Sequence, residues 1–112
     1  MESAEELKNS LISLFPFFAE ELVEEEPEEF EYREELNHHH VWRCFSYTAS
    51  KELVQAEMKT VRLLSELINK SVAAGGLVEN AVSTCFLEHA SQIGVKKVLK
   101  PHLSQLARQE LR

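Results

Sequence analysis

Apolar residues recur along this chain in steps of three and four, the period of a helix with one buried face. Leu7, Leu11, Ile12, Leu14 and Phe15 form the first such face, bordered by Glu5, Glu6 and Lys8. Pro16 closes it, because its ring clashes with the preceding turn and removes a donor. A second short helix starts there with Pro16 in its first turn, carrying Phe17, Phe18 and Leu22 inward, and Pro27 ends or bends it. From His38 the pattern resumes as Val41, Trp42, Phe45, Ala49 and Leu53, a helix of about four to five turns. Val61, Leu64, Leu67 and Ile68 define the next, and Ala74-Gly75-Gly76 is the clearest breaker, since glycine takes positive φ without a Cβ penalty. Beyond it Val78, Ala81, Val82, Cys85 and Phe86 predict a helix ending near Gly94. Val98, Leu103, Leu106 and Leu111 predict a last one, with Pro101 in its first turn or at a kink.

Residues 41–47 alternate partly with period two but lie inside the longer helical pattern. Three Gly and three Pro in 112 residues are few for a sheet protein of this size. The expected fold is all-α: a single helical domain over residues 1–112, with five to six short helices packed as antiparallel hairpins in a bundle or a short stacked array. An acidic segment, 20–36, and a basic C-terminal helix, 95–112, stand out within it. No apolar run approaches the roughly 20 residues that span a bilayer, and the first residues lack the basic-then-apolar order of a signal peptide. A cytoplasmic protein without membrane contact is expected, with Cys44 and Cys85 as reduced, buried thiols.

Charge changes the picture more than composition does. Residues 1–36 carry 13 Glu against Lys8 and Arg33, a net of −11, while residues 89–112 carry five Lys or Arg against Glu110 alone, a net of +4. Ten glutamates fall within residues 20–35, and Phe30, Tyr32 and Leu36 are interleaved with or follow them. Like charges at this density repel one another, and acidic side chains with aromatic anchors are what a surface needs to capture a basic partner. Glu24, Glu25, Glu28, Glu29, Glu31, Glu34 and Glu35 are expected to steer and bond that partner, with Phe30, Tyr32 and Trp42 as desolvated anchors. Nucleic acid is disfavoured as a ligand, because this segment would meet phosphates with like charge.

Catalytic signatures are absent. His38-His39-His40 invites a metal reading, but adjacent residues on a helix diverge by about 100° and cannot converge on one tetrahedral centre. Glu88-His89 lacks the second histidine that a zinc helix requires, and His89, in register with Val82, is expected at the buried face as a hydrogen-bonded structural residue. No serine stands in a Gly-x-Ser-x-Gly turn, the chain has no Asp, and Gly75-Gly76 is not followed by the Lys-Ser of a phosphate loop. The chain reads as a non-enzyme with no cofactor and no metal site.

The segment from Leu77 to His89, Leu-Val-Glu-Asn-Ala-Val-Ser-Thr-Cys-Phe-Leu-Glu-His, resembles the Asn-Ala-Val-x-x-x-Phe-Leu-Glu-His stretch of a family of small, acidic, uncharacterised bacterial proteins. Leu14-Phe15-Pro16 followed by Glu20-Glu21-Leu22 is similar to that family's Phe-Pro break between its first two helices. The resemblance implies a helical fold and, by association, a place in toxin–immunity systems, where small acidic proteins neutralise a cognate toxin. It supplies no catalytic residues, and the histidine run and basic tail are not family features. The expected function is an immunity or antitoxin-like protein that neutralises a basic toxin domain. The alternative is a helical adaptor or self-assembling scaffold, a homo-oligomer in which the acidic part of one copy meets the basic part of another.

Overall fold

A computed structural model describes residues 3–22 and 37–112. Helix α1 spans Ala4–Leu14 and begins with a capping box: the Ser3 hydroxyl accepts the Glu6 N–H at 3.1 Å, and the Glu6 carboxylate accepts the Ser3 N–H at 3.2 Å. Phe15 leaves helical geometry at φ −133°, as a residue before proline is driven to do. Residues 17–22 form α2. The chain continues in α3, His38–Glu52, whose Asn37 cap accepts the His40 N–H at 2.8 Å, and α4, Met58–Ala74. Gly75 and Gly76, at φ 69° and 58°, turn the chain directly into α5, Gly76–Cys85. Short helices α6, Lys96–Leu99, and α7, Gln105–Glu110, complete the fold, with single 3₁₀ turns at Leu87–His89 and Lys100–His102.

The fold is all-α, and among the described residues no strand occurs; residues 41–47 lie within α3. Helix α5 packs on both α3 and α4, α1 rests on the same pair, and α7 closes against α4. Where they meet, Phe45 sits at the centre of an aromatic cluster, its ring centroid 5.3 Å from both Phe15 and Phe18, 5.9 Å from Trp42 and 5.7 Å from Phe86. Each such side chain contributes roughly 1.5–3 kcal/mol by leaving water, so the cluster anchors α2, α3 and the end of α5 to one another. Among the described residues, no helix is long and apolar enough to cross a membrane.

Three expectations are corrected. Phe17 does not turn inward with Phe18 and Leu22: it is 57% exposed, because the turn at Pro16 points its two neighbours, Phe15 and Phe18, into the core and leaves Phe17 on the opposite side. Helix α5 ends at Cys85 instead of near Gly94. A continued helix would place His89 on the face of Val82, seven residues earlier, and turn Leu87 away from it. The break at Phe86 instead buries Leu87 and Ala90 and leaves His89 exposed, its Nδ1–H bonded to Gln92 Oε1 at 2.9 Å. The basic C-terminal helix 95–112 is not continuous. Pro101 lies in a 3₁₀ turn, Leu103 is extended, and Ser104 starts α7 afresh by accepting the Ala107 N–H at 3.2 Å.

Candidate partner-binding surface

Of the residues expected to hold a partner, Glu24, Glu25, Glu28, Glu29, Phe30, Glu31, Tyr32, Glu34 and Glu35 lie outside the described residues. The start of the glutamate run is described. On α2, Glu20 is exposed and Glu21 half-buried, with Glu21 Oε1 3.8 Å from Lys51 Nζ near the end of α3. Lys51 also lies over the Tyr47 ring, 4.0 Å from its centroid. This lysine therefore joins the acidic segment's root to α3 and is already engaged on two sides.

Trp42, the remaining expected anchor, is a core residue. It has no exposed surface and sits 5.3 Å, centroid to centroid, from Phe86. The 3.6-residue register that makes Trp42 part of the apolar stripe with Val41 and Phe45 is what takes it out of reach of a partner.

Exposed apolar side chains occur at several places, Leu63, Leu77 and Leu106 among them, and Phe17 is one that borders a cleft. An open cleft of ≈ 380 Å³ separates the α1–α2 corner, with Leu14, Phe15, Pro16 and Phe17, from the connection between α3 and α4, with Gln55 and Ala56. Its charged lining residues are Glu52 and Glu57. Glu57 occupies the N-cap position of α4 but makes no side-chain cap bond, so its carboxylate is left for solvent. Glu52 makes one weak contact, accepting from Gln55 Nε2 at 3.4 Å. Ala56 also lines a second hollow, which exposed Val54 and Met58 share with Lys97, Val98 and Pro101. The two hollows meet at Ala56, and the charged residues are acidic in the first, Glu52 and Glu57, whereas Lys97 lines the second. Sequence reading missed the cleft because Phe17 fits the apolar period and only the turn at Pro16 exposes it.

The histidine run splits as its spacing requires. His39 Nε2–H donates to Asn80 Oδ1 at 2.9 Å, tying the start of α3 to α5. His40 is buried and meets the Arg43 guanidinium at 3.2 Å. Cys44 Sγ lies 3.7 Å from His40 Nε2 and 3.9 Å from Nδ1. Near-equal distances to two nitrogens whose in-plane directions diverge put the sulfur in line with neither, so the contact is packing and not a proton-transfer pair. Cys44 is buried and Cys85 half-buried, and neither is in a disulfide. Among the described residues, no group of three or more His, Cys or Glu is placed to hold a metal ion.

A carboxylate cluster that no sequence motif announced forms where α5, the 3₁₀ turn after it and α7 meet. Burial pushes the Glu110 carboxyl above its ordinary value, a Ser83 hydrogen bond pulls it partly back, and the nearby Glu79 and Glu88 carboxylates push it up again. Ser83 Oγ also donates to Glu88 Oε2 at 3.4 Å. Only Glu79 and Ser83, four apart on α5, could have been paired from spacing; Glu88 and Glu110 arrive through tertiary folding.

Comparison of the chain with protein-family models, with curated proteins and with solved structures finds no match.

Proposed function

We propose that this chain is a non-enzymatic protein-binding module of the immunity or antitoxin kind, acting in a bacterial cytoplasm by covering the active site or substrate groove of a basic toxin domain. One observation carries the reading: the ten-glutamate run of residues 20–35 begins on α2, where Glu20 and Glu21 follow the exposed aromatic Phe17 by one helical turn. Dense single-sign charge raises the encounter rate with an oppositely charged partner, and adjacent apolar surface supplies the contact that holds it. Glu24, Glu25, Glu28, Glu29, Glu31, Glu34 and Glu35 give the steering and the charge-assisted bonds, Phe30 and Tyr32 the anchors within the run, and Phe17 takes the accessible role that burial denies to Trp42.

The test is capture from the native lysate by the tagged protein at low and high salt, with bound chains identified by mass spectrometry. One basic polypeptide should be retained at low salt and lost in a Glu28→Lys, Glu29→Lys, Glu31→Lys variant. Capture that ignores both salt and charge reversal sinks the reading. A self-assembling scaffold is the second reading, favoured by the exposed Lys97, Lys100, Arg108 and Arg112, which share the C-terminal segment with exposed Leu106 at the other end of the charge gradient. Sedimentation of the protein alone decides it: a salt-sensitive oligomer supports self-assembly, and a monomer at every salt concentration removes it.

A further inference from the structure

We infer that the cleft between the α1–α2 corner and the α3–α4 connection is a docking site for a cationic segment of a partner protein, one in which a large apolar side chain is flanked by Lys or Arg. The inference rests on the reading above that the partner is basic, and it names where and how such a partner is gripped outside the glutamate run.

Charge complementarity selects the occupant. The cleft is lined by apolar side chains, Leu14, Phe15, Pro16, Phe17 and Ala56, together with the polar Gln55 and Thr60, and the charged groups that line it, Glu52 and Glu57, are both acidic. Among the described residues no cation pairs with either. Lys51, next to Glu52, is held by Glu21 and the Tyr47 ring, and Lys59 does not line the cleft. An exposed phenylalanine sharing a cleft with two carboxylates that no described cation pairs is poor surface for water and good surface for an apolar side chain flanked by cations. An acidic or uncharged apolar segment would bring no counter-charge to the rim and would leave both glutamates partly desolvated without a partner.

The experiment is a titration of the ¹⁵N-labelled full chain with acetyl-Arg-Leu-Phe-Arg-amide to millimolar concentration, followed by amide chemical shifts. The charge-reversed acetyl-Glu-Leu-Phe-Glu-amide and the anchorless acetyl-Arg-Gly-Gly-Arg-amide serve as controls. Saturable shifts are expected on residues 14–17 and 52–60 with the first peptide. Binding at those residues should weaken about tenfold or more for either control, as for a Glu52→Gln, Glu57→Gln variant and for Phe17→Ser. All of these positions are wholly or partly solvent-exposed, and the amide spectrum itself reports that each variant is folded. Equal shifts from the charge-reversed peptide, or no shift at 14–17 and 52–60, overturns the inference. Shifts confined to residues 20–35 overturn it while leaving the acidic-capture reading standing. Shifts at the cleft on simple dilution of the protein also overturn it, because the occupant is then a second copy. If the cleft binds the peptide as expected but no basic chain is captured from the lysate, the function reading fails and the cleft chemistry survives.

Discussion

Asn69, in the middle of α4, accepts the backbone N–H of Ser104 at 2.8 Å while its own amide donates to the His102 carbonyl at 3.3 Å. One side chain therefore satisfies both peptide groups at the point where Pro101 has broken the C-terminal helix and α7 has yet to begin. Asn69→Ala leaves a part-buried donor and acceptor without their partner, and a loss of about 1–3 kcal/mol is expected in urea denaturation. Asn69→Asp keeps the acceptor for Ser104 but turns a carboxylate oxygen toward the His102 carbonyl, and should fall between the two. Equal stability of all three chains would mean that the 102–104 junction is held by its own packing.

Trp42 offers a direct check on the core. Its indole is fully buried among Phe45 and Phe86, and among the described residues the Nε1–H has no hydrogen-bond partner. Trp42→Ala should cost about 3–5 kcal/mol. Trp42→Phe should cost distinctly less, because it keeps aromatic contact and removes an unsatisfied buried donor. As the only tryptophan, it should emit at short wavelength and resist iodide quenching in the native state. Red-shifted, quenchable emission would return Trp42 to the surface and to partner contact.

The helical period of the sequence reads the core well where one face stays in register. Val41, Trp42, Phe45, Ala49 and Leu53 are all buried as that period requires, as are Val61, Leu64 and Ile68. It fails where the chain changes direction inside an apolar run. Phe17 and His89 both fit the period and are both exposed, because the turns at Pro16 and Phe86 reset which side faces inward. The same local resets hide the candidate site: the cleft joins residues 14–17 to residues 52–60, and no short-range pattern links segments so far apart. The acidic run is the opposite case, plain in the sequence as charge while its residues 23–36 fall outside the described structure.

The two thiols should separate by exposure. Cys44 is buried against His40, whereas Cys85, in the last turn of α5, is half-buried. A disulfide reagent should label Cys85 first in the native protein and reach Cys44 at the rate of unfolding, so that mild urea accelerates the second phase alone. Cys85→Ser should abolish the fast phase. Labelling of both at one fast rate would show that α3 opens locally near His40.

Glu110 gives the pH dependence. Its carboxyl is raised above its ordinary value, first by burial and then by the neighbouring Glu79 and Glu88 carboxylates, against a partial offset from the Ser83 hydrogen bond. A raised folded-state value means that folding favours the protonated form. The contribution to stability is fully present below the unfolded value and is lost as pH rises through the folded one. Once Glu110 ionises, its carboxylate therefore works against the docking of α7, and Glu110→Gln should raise the melting temperature above the pH at which Glu110 titrates in the folded protein while giving little or no gain below the ordinary carboxylate range. Glu79→Gln should lower the Glu110 titration midpoint, read from its side-chain carbon resonance, because it removes one of the charges that raise it. A melting temperature that responds equally to Glu110→Gln at both ends of this range would show that the substitution acts through packing and that the three carboxylates are not coupled.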